Sequence, residues 1–273
     1  MILPAAFSPC PNDTFLFHAW VSGNVGGDIS LLPVLADIQQ LNEWALKGKY
    51  PFSKVSFGCL GQILNDYILL PVGAALGRDC GPKIIARKHF PLSELSKKSI
   101  AIPGKLTTAH QLLRILVPAP KSKHFCLYHE VPALIRKGAI DCGVIIHEQR
   151  FTYQEQGFVE IADLGKLWDA HFACPIPLGG LVAKRSLGFS VLRKITYAIQ
   201  ASLRAARADP KATHPYVLAH SQEKKPEVVQ EHINLYINQE SYQISDSGVK
   251  GIEILLSLGS EEALPQLQWL FDR

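Results

Sequence analysis

Short apolar segments that alternate with segments of helical periodicity constrain the fold of this chain more than any other sequence feature. Each apolar segment has the length of a strand. The predicted strands are Ile2–Phe7, Leu31–Ala36, Lys54–Phe57, Tyr67–Val72, Lys83–Arg87, Ser99–Pro103, Phe125–Tyr128, Asp141–Ile146, Val159–Asp163 and Leu178–Lys184. This alternation predicts an α/β fold whose sheets are largely parallel.

The helical segments fall into two groups along the chain. Those between the strands are Asp13–Ser22, Ile38–Lys47, Leu60–Asn65, Thr108–Val117 and Val131–Lys137. After Lys184 the strands stop, and the predicted helices follow one another as Leu187–Ala208, Thr213–Ala219, Pro226–Tyr236 and Ser247–Ser257. The periodicity therefore predicts a helical layer at the end of the chain.

Two proline-bearing segments, 88–98 and 174–178, bracket an α/β block with the size of a small lobe. They are interpreted as crossings between two lobes. The predicted first lobe is discontinuous and comprises residues 1–88 and 178–273, and the inserted second lobe comprises residues 89–177. In such an arrangement the ligand cleft lies between the lobes, where strand ends and helix N-termini meet.

Composition excludes several classes of function. The net charge of +4 is too small and too diffuse for nucleic-acid binding, although it is compatible with an anionic small molecule such as a carboxylate. No apolar run is long enough to cross a bilayer, and no signal peptide is recognised, so a cytoplasmic protein is expected. The six cysteines form no C-x-x-C pair and no ligand spacing indicates a metal, so no metal and no cofactor are expected.

The segment SPCPNDTF, residues 8–15, follows the first predicted strand and opens the first predicted helix. Its backbone N–H groups could bind an anion, because a helix N-terminus carries partial positive charge. The alternative is a rigid turn framed by two prolines, with Asn12 or Asp13 as the N-cap. Cys10 has no local base in the sequence, which disfavours a nucleophilic role.

Two further strand ends carry polar side chains that suit an acidic group. Ser53-Lys54-Val55-Ser56 precedes a glycine and a helix, and the alternative interpretation is a solvated strand end. Pro103-Gly104 precedes Thr107-Thr108-Ala109, which places hydroxyl groups at a helix N-terminus. Capping by a threonine would also explain this second pattern.

The apolar run from Gly143 to Ile146 ends on His147 and Glu148. A histidine at the carboxyl end of a buried strand faces the crevice where α/β folds carry reactive groups. Imidazole titrates close to neutral pH, which suits a general base. The alternative is a structural histidine with no chemical role.

Six motifs, taken in sequence order, resemble those of one known family. They are SPCPNDTF at 8–15, LNEWAL at 41–46, SKVSFG at 53–58, ALGRDCGP at 75–82, PGKLTTA at 103–109 and IIHEQRFTY at 145–153. The family is the 1,4-dihydroxy-6-naphthoate synthases of the futalosine route to menaquinone. The resemblance covers the chain up to about residue 185 and is weaker in the helical tail.

The resemblance implies a two-lobed fold similar to type II periplasmic binding proteins, with an inter-lobe cleft. It implies a lyase that cleaves cyclic dehypoxanthinylfutalosine to 1,4-dihydroxy-6-naphthoate and dihydroxyacetone without a metal or redox cofactor. The general base of the family falls on His147. The substrate-binding segments fall on Lys54, Val55 and Ser56 and on Thr108 and Ala109.

Two other functions remain open on the sequence. The first is the chorismate dehydratase of the same pathway and fold, in which SPCPNDTF and the histidine of IIHE are not expected. The second is a non-catalytic carboxylate-binding protein that uses the same cleft for capture.

Overall fold

Two mixed sheets flanked by helices form the fold in a computed structural model that describes residues 1–259. Residues 260–273, which the predicted first lobe includes, lie outside the described part. The strands are β1 Ile2–Phe7, β2 Ser30–Leu35, β3 Phe52–Ser56, β4 Tyr67–Leu69, β5 Ala75–Gly77, β6 Lys83–Ala86, β7 Ser99–Ile102, β8 Ser122–Phe125, β9 Cys142–Ile145, β10 Val159–Asp163 and β11 Ile176–Lys184. The predicted α/β class is confirmed.

The helices lie between these strands and in the last third of the described chain. They are α1 Pro11–Val21, α2 Ile38–Leu46, α3 Phe57–Leu60, α4 Thr108–Leu116, α5 Val131–Arg136, α6 Gln149–Thr152, α7 Leu164–Phe172, α8 Phe189–Ala208, α9 Pro210–His220, α10 Pro226–Tyr236, α11 Gln239–Tyr242 and α12 Asp246–Gly259. Each helix predicted after Lys184 is present. Strand β5 and helices α6, α7 and α11 were not predicted.

The first sheet has the order β2-β1-β3-β11-β4, with β5 paired to β11, and the second has the order β10-β6-β9-β7-β8. The prediction of largely parallel sheets is wrong. Strand β11 pairs antiparallel with β3, β4 and β5, and β6 pairs antiparallel with β9 and β10. The sequence pattern reports the order of strands and helices, but it does not report the direction in which the chain re-enters a sheet.

The chain passes from the first sheet to the second between β5 and β6 and returns between β10 and β11. Strand β6 therefore belongs to the second sheet, although it precedes the predicted lobe boundary at residue 88. The lobe boundaries themselves stay a prediction. The sheet order shows that the block that builds the second sheet is inserted between two segments that build the first sheet.

The late helices cover the first sheet. Apolar side chains of α8, including Ile195 and Leu203, share one core with Phe7, Phe17 and Phe52 of the first sheet and α1. The ring centroids of Phe7 and Phe17 lie 4.4 Å apart, and those of Phe17 and Phe52 lie 5.8 Å apart. This packing fixes α1, and with it the turn that precedes α1, against the end of the first sheet.

Candidate active site

A cleft lies between the two sheets and contains about 650 Å3 of empty space, which includes open solvent. Strands of the first sheet, segments that flank the strands of the second sheet, and helix α10 contribute to its wall, which is formed by Ser8, Asn12, Asp13, Ile38, Lys54, Ser56, Ala75, Cys80, Pro82, Thr107, Thr108, Ala109, Ile146, His147, Leu178, Gly179, His232 and Tyr236. The predicted site residues other than Val55 are all in this wall. The side chain of Val55 is instead fully buried in the hydrophobic core.

Three strands end at the cleft. Strand β3 ends at Ser56, β7 leads through a short loop to Thr108, and β9 ends two residues before His147. The backbone of His147 has a φ of +57°, in the left-handed region. That conformation is rare outside glycine and asparagine, and it is a mark of residues held in place by their surroundings at functional sites.

Asp13 of the turn SPCPNDTF forms a buried ion pair with Lys54. The Nζ of Lys54 lies 2.9 Å from the Oδ1 of Asp13, and the two side chains are only 6% and 2% exposed. The other carboxylate oxygen, Oδ2, accepts hydrogen bonds from the backbone N–H of Ser8 at 3.2 Å and from its hydroxyl at 2.7 Å. The second partner of Lys54 is the carbonyl oxygen of Gly73, at 3.2 Å.

The expectation that Asn12 or Asp13 caps α1 is wrong. The N-cap position is Cys10, whose side chain makes no capping bond, and Pro11 occupies the first helical position. A proline at that position has no N–H to be capped, and its ring already fixes a helical φ. Asn12 and Asp13 therefore lie within the first turn, where their side chains serve the polar network of the cleft.

Ser56 is positioned by Asn42 of α2. The amide of Asn42 donates to the Oγ of Ser56 at 3.0 Å and accepts from the backbone N–H of Ser56 at 2.8 Å. The same Nδ2 reaches the carbonyl oxygen of Leu106 at 3.2 Å, which connects α2 to the loop before α4. The hydroxyl proton of Ser56 has no acceptor among residues 1–259 and is available to a ligand.

The predicted cap of α4 is confirmed as Thr107, whose Oγ1 accepts from the backbone N–H of His110 at 3.3 Å. The hydroxyl of Thr108 is fully engaged, because it donates to the carbonyl oxygen of Leu178 at 2.7 Å and accepts from the N–H of Gly58 at 3.0 Å. In the described chain the backbone N–H groups of Thr108 and Ala109 have no acceptor. They are the groups of this segment that are free to bind an anion.

His147 contacts side chains that sequence reasoning did not pair with it. Its Nδ1 lies 3.4 Å from the Sγ of Cys10, and its ring packs edge-on against that of Tyr128 at 4.9 Å between centroids. Burial, and then the Glu148 carboxylate, raise the pKa of the Cys10 thiol well above its usual range, so the thiol stays protonated. Within residues 1–259 the Nε2 of His147 makes no hydrogen bond.

His147 also lines a second cavity of about 370 Å3. Besides His147, the residues shared with the larger cleft are Ser8 and Ile38. The smaller cavity is otherwise formed by Pro9, Cys10, Asp37, Leu127, Tyr128, His129 and Gln222. The imidazole of His147 therefore stands where the two cavities meet.

His232 of α10 is a cleft residue that the sequence analysis missed. Its side chain is 0% exposed, its Nε2 lies 3.0 Å from the Oδ1 of Asn12, and its ring stacks at 6.4 Å and 23° on that of His147. The periodicity of α10 marks position 232 only as part of a helix face. Its distance from Asn12 along the chain, 220 residues, leaves no local signal.

Among the described residues, no three His, Cys, Asp or Glu side chains are grouped as metal ligands would be. In the same part of the chain, no helix has both the length and the apolar character needed to cross a membrane.

Solved structures of similar fold share this two-sheet architecture. Protein AF1704 from Archaeoglobus fulgidus superposes with a TM-score of 0.89 at 26% identity, over 94% of this chain and 96% of that one. The CA3427 gene product of Candida albicans, described as having the generic periplasmic binding protein fold, gives 0.72 at 11% identity over 96% and 92%. The alkanesulfonate-binding protein SsuA from Xanthomonas axonopodis gives 0.66 at 13% identity over 86% and 84%. The predicted periplasmic-binding-protein-like fold is confirmed.

Sequence comparison assigns the family. The family model described as menaquinone biosynthesis matches residues 3–261. A 1,4-dihydroxy-6-naphthoate synthase from Streptomyces coelicolor is 40% identical over 96% of this chain and 94% of its own. Another from Thermus thermophilus is 38% identical over 93% of each chain. The chain therefore belongs to the menaquinone biosynthesis family and is an enzyme of the group that includes the 1,4-dihydroxy-6-naphthoate synthases.

Proposed function

We propose that this enzyme is a lyase that cleaves cyclic dehypoxanthinylfutalosine to 1,4-dihydroxy-6-naphthoate and dihydroxyacetone, with His147 as the general base. The observation that carries the proposal is the position of His147, whose ring lies at the junction of two cavities and whose Nε2 has no hydrogen-bond partner in the described part of the chain. The identity to curated 1,4-dihydroxy-6-naphthoate synthases supports the choice of reaction.

The contact with Cys10 suits the role of a base. When the imidazole carries its proton on Nδ1, that N–H donates to the Sγ of Cys10, 3.4 Å away, and Nε2 keeps a lone pair. The protonated thiol adds no negative charge beside the ring. Nε2 is then the atom that accepts a proton from the substrate.

The reaction follows from that proton transfer. Nε2 removes a hydroxyl proton from the sugar-derived part of the substrate, and the adjacent carbon–carbon bond breaks in a retro-aldol step. The deprotonated hydroxyl becomes a carbonyl group of the three-carbon unit, which leaves, and the electron pair of the broken bond passes into the ring system. The proton held on Nε2 returns to a ring oxygen, and the ring system becomes aromatic as a naphthalene. Holding the hydroxyl within about 3 Å of Nε2 is the geometric requirement on the enzyme.

The substrate carboxylate is assigned to the N-terminus of α4. The N–H groups of Thr108 and Ala109, which have no acceptor among the described residues, lie at the N-terminus of α4, where the helix dipole favours an anion. The hydroxyl proton of Ser56 adds a third donor. Lys54 contributes positive charge, although its ammonium already has Asp13 and Gly73 as partners.

Replacing Thr108 by valine tests this carboxylate site. The hydroxyl of Thr108 ties α4 to Leu178 and to Gly58, so its loss displaces the backbone donors that follow it. We expect KM for the cyclic substrate to rise by about 10-fold, the size of one lost hydrogen bond to a charged group. Thr108→Ser keeps the hydroxyl and should keep KM within about 2-fold of the wild type. Steady-state kinetics measure both, and an unchanged KM and kcat in the valine variant would remove Thr108 from the site.

Several finer statements belong to the same proposal. The cleft lies between a first lobe built on the first sheet and an inserted second lobe, each contributing one wall. All six cysteines are unpaired, which fits a reducing compartment and supports a cytoplasmic location.

The reaction is tested by assaying the purified enzyme on cyclic dehypoxanthinylfutalosine and, separately, on chorismate. Release of the naphthoate chromophore with equimolar dihydroxyacetone from the first substrate alone supports the proposal. Turnover of chorismate would instead make the enzyme a chorismate dehydratase, the neighbouring activity on the same fold. Tight binding of the cyclic compound without turnover would contradict the proposed lyase.

A further inference from the structure

A chain of hydrogen bonds runs from Lys54 to His232 along the wall of the cleft. The donor and the acceptor of each bond in this chain can be assigned. The ammonium of Lys54 pairs with Asp13, and the Nδ2 of Asn12 lies 3.0 Å from the same carboxylate oxygen. A carboxylate can only accept, so the Asn12 amide donates to it with its NH2 group. The carbonyl oxygen of Asn12 is therefore the atom that meets His232.

This polarity determines the tautomer of His232. The Oδ1 of Asn12 is an acceptor, and it lies 3.0 Å from the Nε2 of His232, so that nitrogen carries the proton. Burial, and then the charges of His147 and Arg150, hold the pKa of His232 well below its usual value. The ring is therefore neutral, and its Nδ1 carries a lone pair.

That lone pair has no partner in the described chain. The Nδ1 of His232 is a buried atom that receives no hydrogen bond from residues 1–259. Packing holds the ring in place, with the rings of Tyr236 at 4.6 Å and Phe151 at 6.4 Å between centroids. A buried polar atom without a partner is costly, and such atoms are uncommon unless a ligand or water completes them.

We infer that the Nδ1 of His232 accepts a hydrogen bond from a hydroxyl group of the ligand in the cleft, so that His232 selects for a hydroxylated substrate. The inference deepens the proposed function and rests on it, because the sugar-derived part of the proposed substrate supplies hydroxyl groups. His232 is thus a binding residue, distinct from the proton acceptor His147, on which its ring stacks.

Two substitutions test the roles of the two ring nitrogens of His232 separately. In His232→Gln the side-chain amide reaches the position of Nε2 and can still donate to Asn12, but the acceptor at the position of Nδ1 is lost. In His232→Asn the shorter amide places an oxygen near the position of Nδ1 and gives up the bond to Asn12. A purely structural role would make the asparagine variant the worse of the two.

The kinetic test uses cyclic dehypoxanthinylfutalosine and analogues that each lack one hydroxyl group. We expect the wild type to have a higher kcat/KM for the full substrate than for one of these analogues. In the glutamine variant, the ratio of the two kcat/KM values should fall by about 10-fold or more. The asparagine variant should retain most of the preference. A glutamine variant that discriminates against every analogue as the wild type does would overturn the inference.

Two further measurements keep this inference separate from the proposed reaction. Nitrogen-15 NMR of histidine-labelled enzyme reads the tautomer of His232 without any ligand, and a proton on Nδ1 would overturn the inference whatever the enzyme cleaves. Calorimetric binding of the same compounds tests the hydroxyl preference even if no cleavage occurs, in which case only the proposed function fails. Binding that shows no hydroxyl preference overturns the assignment to His232.

Discussion

His147→Asn is expected to lower kcat on cyclic dehypoxanthinylfutalosine by at least about 100-fold, the usual contribution of a general base. Asparagine is the suitable replacement because it tolerates the left-handed backbone that His147 adopts at a φ of +57°. An alanine at this position would add backbone strain to the loss of the base. Single-turnover absorbance of the naphthoate product measures the chemical step directly.

The binding of product separates a lost base from a damaged cleft. The asparagine variant should bind 1,4-dihydroxy-6-naphthoate within about 3-fold of the wild type, because the carboxylate donors at Thr108 and Ala109 are untouched. His171→Asn is the matched control, since His171 is an exposed histidine of α7 outside both cavities and should leave turnover unchanged. Near-normal turnover in the His147 variant would end its assignment as the base.

The order of strands and helices could be read from the sequence because hydrophobic periodicity is a local signal. Strand β1 and helix α10 begin and end where the pattern predicts. Strand direction is not local. The chain turns back into the first sheet as β11 only after the second sheet is complete, so no periodicity in residues 176–184 marks it as antiparallel.

The parts of the site could be predicted, but their pairing could not. Strand ends followed by polar residues identified Ser56, Thr108 and His147, because carboxyl ends of strands and helix starts converge in α/β folds. The partner of His147 is Cys10, which lies 137 residues away, and the sequence left that cysteine without a base. Such pairs arise when two sheets pack together, and no short segment of the sequence contains a signal for that packing.

The role of Thr108 shows the same limit at one side chain. A threonine near a helix start predicts either a cap or an anion ligand, and the sequence cannot choose between them. The structure assigns the cap to Thr107 and commits the hydroxyl of Thr108 to two backbone groups. The neighbouring backbone N–H groups have no acceptor among residues 1–259, which is a property of the fold and not of the residue type.

Loss of Asp13 and loss of Lys54 are expected to lower the free energy of unfolding by different amounts. Without Lys54, the Asp13 carboxylate keeps three donors, the N–H and hydroxyl of Ser8 and the amide of Asn12. Without the carboxylate, the ammonium of Lys54 keeps, within residues 1–259, only the carbonyl oxygen of Gly73. An ion left buried with few partners is the main cost of breaking such a pair.

Asp13→Ala should therefore lower the free energy of unfolding by about 4 kcal/mol, and Lys54→Met by about 2 kcal/mol, as measured by urea denaturation at constant pH. The double variant should lose less than the sum of the two, because removal of the ammonium relieves the greater penalty. Arg193→Met, at an exposed position on α8, is the control for removal of a surface charge and should stay within about 0.5 kcal/mol of the wild type. If Lys54→Met proved the more destabilising substitution, the carboxylate of Asp13 would depend on the ammonium after all. The turn SPCPNDTF would then be held by the ion pair itself, and not by the donors that Ser8 and Asn12 supply.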